Sequence, residues 1–600
     1  MINPVFAIPK YLKIYQKYLG RKLYVVFFLT VLSGLSEGFG ILMILPLIST
    51  FKNSEVAVDG GVATKLLSDV FQFLRLNNSD TSIFILIILG FLGKGALLFL
   101  AYSLQANLKG IYIKNLKSNF YKSISNMTYK YYLENDTGKF TNLINEQINR
   151  SALAFGNLML LIVKIVNSIV YLFLALFVSF QFGLSALLIA FITLSLFQKL
   201  SAYVRNMSRR TAEENGKLSK RIIEIFQSFK YLKATAKMKF LNKQIFESIN
   251  ILSKIEKKNG IAYAFTSSIR EPFIIICIII VLYYQVIIAK NSFAPSLISI
   301  ALFYRALNAL LGFQGNFQGL LEYIGSLEIV ENEYKFLNEN IENTKGIETY
   351  FHKSIKFENV YFAYDKNNNY VLKNINIDLS SLSTVALVGS SGAGKSTFVD
   401  LLSYVLKPQK GNILIDNKNI KNIDLNKWRT QIAYVSQDTA IFDATILFNI
   451  SMTELLINKE KKSVPKEVIK AAKQAYIHDF IMTLPNGYHT VVGERGIRLS
   501  GGQKQRLFIA RELYRKPKIL ILDEATSALD SESEKFIKNS IDLLKGRITV
   551  LIIAHRLSTI KDVDYLYVID KGEIIEEGTY KFLKSDKNSY FSKLISLQQL

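Results

Sequence analysis

Gly389-Ser390-Ser391-Gly392-Ala393-Gly394-Lys395-Ser396-Thr397 is the stretch on which the reading of this chain turns. It follows the apolar run Val385–Val388 and opens a helical pattern, Phe398–Val405. Strand, loop and helix in that order suit phosphate binding: glycines let backbone N–H groups wrap the phosphates, and a helix N-terminus adds positive potential. In that pattern Lys395 reaches the β- and γ-phosphates and the Ser396 hydroxyl binds Mg²⁺. A second constellation lies downstream, where the buried run Ile519–Leu522 ends in Asp523-Glu524. Asp523 can hold Mg²⁺ through water, and Glu524 can polarise the attacking water as general base. Around these motifs, short β-branched runs alternate with helical patterns, which predicts a parallel α/β domain.

Outward from this domain, toward the N-terminus, the texture changes. Six apolar stretches, roughly 23–49, 82–107, 153–180, 183–200, 268–289 and 294–318, approach or exceed the ~20 residues needed to cross a bilayer. The polar, acidic segment 331–350 reads as a linker. The expected fold class is thus a multi-domain membrane protein: a six-helix α-helical transmembrane domain at 1–330, a linker at 331–350 and an α/β phosphate-loop domain at 351–600. Segments 1–22, 108–152 and 199–262 carry net charges of +5, +4 and +10, against −1 for 51–80. By the positive-inside rule the first three are cytoplasmic, as are the N-terminus and the α/β domain. The run at 23–49 is too long for a signal peptide and lacks a small-residue cleavage site.

Topology also explains most of the net charge of +25 on 600 residues, so no nucleic-acid partner is required. A composition half hydrophobic, with 41 Phe and 32 Tyr, excludes a disordered basic tail. The single cysteine, Cys277, excludes an internal disulfide framework.

Between the two constellations lies Leu499-Ser500-Gly501-Gly502-Gln503, followed by the basic helix Lys504–Arg515. With it, 350–600 resembles the nucleotide-binding domain of ATP-binding cassette (ABC) proteins, and Leu499–Gln503 resembles their signature motif. The resemblance implies ATP and Mg²⁺ as cofactors and ATP hydrolysis as the reaction. It implies that Tyr364 stacks on adenine, that Gln437 stands between Mg²⁺ and the membrane domain, and that Ser527–Asp530 forms the D-loop. His555 would contact the γ-phosphate, beside Glu524 as base. Gly389–Thr397 would bind ATP, with Ser396, Gln437 and Asp523 around Mg²⁺. Ser500, Gly501, Gly502, Gln503 and Asp530 would complete the ATP site of a second chain. One such domain with six spans resembles a half-transporter of the exporter class, working as a homodimer or with a related half-transporter. Asn215–Lys237 resembles the cytoplasmic loop that docks on the partner's nucleotide domain. The expected place is the inner (plasma) membrane.

The cargo is read from charges inside the spans. A charge at the bilayer centre costs at least about 2.5–3.5 kcal/mol, yet the chain keeps Lys94, Lys164, Arg270 and Arg305, with Glu37 and Glu271. Such cations facing a wet cavity suit an amphiphile with a phosphate or pyrophosphate head. Internal pairing, for example Arg270 with Glu37, and snorkelling from span ends are the other explanation. Lys94, Arg270, Arg305 and Glu37 are the candidate cavity residues. Leu35–Gly40 with Leu45–Ile48 resembles the first span of bacterial flippases for lipid-linked oligosaccharides. Drug or peptide export is the alternative, and an ATP-gated channel or regulatory membrane ATPase a further one. Residues 63–76 read as an amphipathic helix, lying in the outer interface or capping the span ends.

Overall fold

The computed structural model describes residues 8–43, 80–178, 184–185, 187–189, 192, 198–284, 287, 293–365, 369–437, 439–453, 463–523, 531–554 and 560–598. Half of the fourth apolar stretch lies outside these residues, as do the end of the first and the amphipathic segment 63–76. The chain divides into two compact units, Met1–Ile341 and Glu342–Leu600.

The first unit is helical. Its principal helices are α1 (Ile8–Leu19), α2 (Lys22–Leu42), α3 (Asp80–Ser125), α4 (Ile148–Val178), α5 (Gln198–Gln227), α6 (Met238–Ser268), α7 (Arg270–Tyr283) and α8 (Phe293–Glu339). Four stretches among the described residues are long and apolar enough to cross a membrane: Lys22–Ile41, Thr81–Ser125, Thr137–Leu176 and Met238–Tyr283. The sixth predicted stretch lies in α8. The 46 residues of α3 would span ~69 Å at 1.5 Å per residue, well beyond a ~30 Å hydrocarbon core. Its polar C-terminal part is therefore an extension of the membrane helix.

Spacing explains the packing of that extension. Leu108, Tyr112, Leu116 and Phe120 recur every fourth residue, and all are buried. They share a core with Phe155 and Leu158 of α4 and Phe317, Leu320, Leu321 and Ile324 of α8. Tyr15 of α1 enters this core: its ring lies 5.2 Å from Tyr112 and 5.1 Å from Phe155, and its hydroxyl donates to Ser151 O at 2.8 Å.

The linker expected at 331–350 starts later. Glu331, Glu333 and Glu339 belong to α8, which ends at Glu339. Acidity suggested a solvated connector, but two of these acids have partners in their own unit. Tyr18 donates to Glu331 at 2.6 Å, and Lys139 pairs with Glu333 at 2.8 Å.

The second unit holds two sheets. The smaller, antiparallel one contains β1 (Ser354–Phe362), β2 (Leu372–Ser380), β4 (Lys410–Ile415) and β5 (Lys418–Asn419), in the order β2-β1-β4-β5. The larger is formed by β3 (Thr384–Gly389), β6 (Ile432–Val435), β7 (Ile519–Asp523), β8 (Thr549–Ile553), β9 (Tyr565–Asp570) and β10 (Glu573–Gly578), in the order β10-β9-β3-β8-β7-β6. All pairs are parallel except β9–β10. Every residue of β7 and β8 is buried, as expected of central parallel strands covered on both faces.

Candidate functional site

The register of the larger sheet assembles the site. Leu387 of β3 pairs with Ile553 of β8, Ile553 with Asp523 of β7, and Leu522 of β7 with Val435 of β6. The phosphate loop leaving β3, Asp523 ending β7 and Ser436-Gln437 leaving β6 therefore share one carboxyl edge, where open parallel sheets bind ligands. Glu524, Asp530 and His555 lie outside the described residues.

Three glycines shape the loop. A Cβ on Gly389 would stand 2.1 Å from Ile569 O, so β9 leaves no room for a side chain there. Gly392 and Gly394 have φ of +79° and +105°, a region that costs L-residues strain. A Cβ on Gly392 would meet nothing within 4 Å, so the loop is open on that side. Helix α9 (Lys395–Leu402) starts directly behind it. Lys395 is buried and donates to Gly389 O and Ser390 O, each at 2.9 Å, which holds its ammonium within the loop. Ser390 donates to Asp570 at 3.1 Å. Tyr364, expected to stack on adenine, is 45% exposed, and its hydroxyl lies 3.0 Å from Thr397 Oγ1. These residues fit a nucleotide whose phosphates lie on the loop and whose base lies against the exposed tyrosine.

Mg²⁺ fits the same edge. Among the described residues no group of three or more His, Cys, Asp or Glu could hold a metal ion. Mg²⁺ commonly takes one or two carboxylates, with substrate phosphate and water completing the set. Ser396, Gln437 and Asp523 are such a donor set. Asp523 is buried and accepts from Tyr434 Oη at 3.0 Å. Asp400 of α9 was not singled out by the sequence. Burial, with the Asp523 charge second, pushes its carboxyl up to about 6. No motif marks Tyr434 or Asp400, because both reach the site through strand register and helix packing.

Ser500 caps helix α10 (Gly501–Tyr514). Its Oγ accepts from Gln503 N at 3.3 Å, and Gln503 Oε1 accepts from Ser500 N at 2.9 Å, a capping box. Ser500 and Gly501 are exposed, and among the described residues no hydrogen bond ties Ser500–Gln503 to the phosphate loop. An exposed helix start of this kind is available to a ligand outside its own site. In the first unit, Asn215–Lys237 covers the end of α5, the short helix Phe229–Ala234 and the turn before α6. Phe226, Phe229 and Tyr231 are exposed there.

The intramembrane charges separate into two groups. Glu37 is fully buried on α2; Lys94 Nζ lies 2.6 Å and Arg305 Nη1 3.3 Å from its carboxylate, and Tyr171 donates to it. Arg270, suggested as its partner, instead donates to the backbone and side-chain oxygens of Asn308 on α8, the former at 2.8 Å. The pairing differs because the azimuth of each helix chooses the neighbour, and spacing within a single helix does not encode it.

Comparison with known proteins adds the following. The profile of the ABC transporter transmembrane region matches residues 23–310, and the profile described as ABC transporter matches residues 372–527. The ATP-dependent lipid A-core flippase of Wigglesworthia glossinidia brevipalpis is 31% identical over 514 residues, 83% of this chain and 86% of that protein. A putative multidrug export ATP-binding/permease protein of Staphylococcus aureus is 32% identical over 611 residues, 99% of this chain and 100% of that protein. Among solved structures, a bacterial Atm1-family ABC exporter with ATP bound matches with a TM-score of 0.78 at 24% identity, covering 97% of this chain and 98% of that one. At that identity the likeness shows the fold.

Proposed function

Because the chain belongs to the ABC transporter family and is an ATP-driven transport ATPase of its exporter class, we propose that it works as a homodimer in the inner (plasma) membrane, N-terminus and nucleotide domain cytoplasmic. There it moves an amphiphile with a phosphate-bearing head, a lipid-linked saccharide or related lipid, to the outer side. Lys395 and the loop amides bind the phosphates, and Ser396, Gln437 and Asp523 would hold Mg²⁺, which when bound would supply positive charge beside the phosphates. Ser500–Gln503 and Asp530 of the second copy close each site. Glu524 takes a proton from the attacking water, and His555 orients the γ-phosphate.

The observation that carries the cargo reading is the charge balance around Glu37. Four cations, Lys94, Lys164, Arg270 and Arg305, lie in the spans, and one buried carboxylate answers two of them. A relative named for flipping lipid A-core supports a lipid-borne head. Glu524→Gln should lower ATP turnover by ~10²–10⁴, the usual contribution of a general base, and abolish transport; wild-type turnover in this variant overturns the mechanism. In vesicles, a diphosphate-linked saccharide lipid should stimulate ATP hydrolysis more than a neutral glycolipid or a cationic dye. The multidrug name of the S. aureus relative favours a second reading, drug export, and stimulation by the dye alone would decide for it.

A further inference from the structure

Of the four intramembrane cations, two pair directly with a carboxylate and two do not, among the described residues. Lys94 and Arg305 share the buried Glu37 carboxylate, and Tyr171 donates to the same group. This cluster joins α2, α3, α4 and α8. Lys164 of α4 and Arg270 of α7 pair with no carboxylate among the described residues. They nevertheless approach each other. A Cβ on Gly312 of α8 would lie 3.2 Å from Lys164 Cε and 3.5 Å from Arg270 Nη2. Among the described residues, Arg270 donates to neutral oxygens of Asn308.

Like charges facing each other repel, by ~3 kcal/mol for a generic separation of ~5 Å at an effective dielectric constant of ~20. The cost is greater where water is scarce, and the Glu37 carboxylate, which also acts on Lys164 but already pairs with two cations, offsets it less than Arg270 adds to it. An anion between the two would reverse the sign. The pair also has the chemistry for phosphate: a planar guanidinium fork for two oxygens and a mobile ammonium for a third. Gly312 leaves the space that a side chain would fill.

We propose that Lys164 and Arg270, with Arg270 positioned by Asn308 and room provided by Gly312, form the seat for the phosphate head of the cargo, while Glu37, Lys94 and Arg305 form a structural lock. The inference rests on the cargo reading above, and it moves the head-binding role from Lys94 and Arg305 to Lys164. Arg270 contacts the ligand; Asn308 is a positioning residue.

The test uses the full chain in phosphatidylcholine nanodiscs and three probes: dodecyl phosphate, inorganic phosphate and dodecyl maltoside. Affinity is read by calorimetry, and folding by the melting temperature. Wild type should bind dodecyl phosphate more tightly than either of the other probes. Lys164→Gln and Arg270→Gln should each weaken that binding roughly tenfold, the loss of one charge-assisted contact. Gly312→Ala, which retains every charge, should weaken it as well. Lys164→Arg should restore most of it. Lys94→Gln should lower the melting temperature, with a smaller effect on affinity. If wild type binds dodecyl phosphate and folded Lys164→Gln and Arg270→Gln bind it equally well, the seat is overturned and the cargo reading stands. If wild type does not bind dodecyl phosphate, or binds inorganic phosphate as tightly, both fall.

Discussion

Asp400 sits in the helix behind the phosphate loop with its carboxyl pushed up to about 6, first by burial and then by the Asp523 charge. A folded value above the ordinary 3.8 means that the folded state holds this proton more tightly than the unfolded chain. The stabilisation is complete below pH ~4 and is lost as pH rises through about 6. A shift of roughly two units corresponds to at most ~3 kcal/mol, less where water reaches the group. Asp400→Asn cannot lose the proton, so its melting temperature should rise relative to wild type between pH 4.5 and 7. Parallel melting curves across that range would refute the account. The residue also marks how far sequence reading reached. The glycine spacing of 389–394 is local and legible. That the Asp523 charge acts on Asp400, or that Tyr434 donates to Asp523, depends on strand register and on helix packing against the sheet, which no spacing within one segment carries.

At the scale of elements, α10 packs on the segment after Gln437 through a shared apolar core and is tied to it by the Arg511 side chain. Arg511 is buried; it donates to Asn449 O at 2.6 Å, Asn449 Oδ1 at 2.7 Å and Ala440 O at 2.5 Å. Its guanidinium also faces the rings of Phe442 and Phe508 at 5.3 and 5.1 Å. Two aromatic residues from different segments thus pack against the same arginine. Arg511→Ala should cost ~3 kcal/mol or more, because it leaves buried acceptors unpaired; Arg511→Lys, which keeps charge but loses the fork, should cost ~2 kcal/mol. Denaturant unfolding of the second unit measures both, and losses under 1 kcal/mol would show that the contacts are incidental. Helices were legible here where periodicity was long, as in α3 and α4. The C-terminal turns of α8 were misread as linker because an acidic run looks alike whether solvated or paired across helices, as Glu331 and Glu333 are.

At the scale of the whole molecule, segments 1–22, 108–152 and 199–262 carry a combined +19 of the +25, the excess that the positive-inside rule expects on one side of a membrane. Within one chain, the phosphate loop and the exposed Ser500 cap share no hydrogen bond among the described residues. If each site takes its loop from one copy and its cap from the other, two defective chains should complement. Lys395→Ala removes the loop's ammonium; Ser500→Arg blocks the cap. Each homodimer then lacks both sites. A mixed dimer retains one, built from the loop of the Ser500→Arg chain and the cap of the Lys395→Ala chain. Co-expression with distinct tags and tandem purification isolates that species. It should hydrolyse ATP at a clear fraction of the wild-type rate, up to about half if the sites act independently, while both parents stay near background. Activity no greater than that of the parents would mean either that loop and cap act within one chain or that turnover needs two intact sites. Trapping radiolabelled nucleotide in the mixed dimer separates these: one nucleotide held per dimer supports the shared site, and none overturns it.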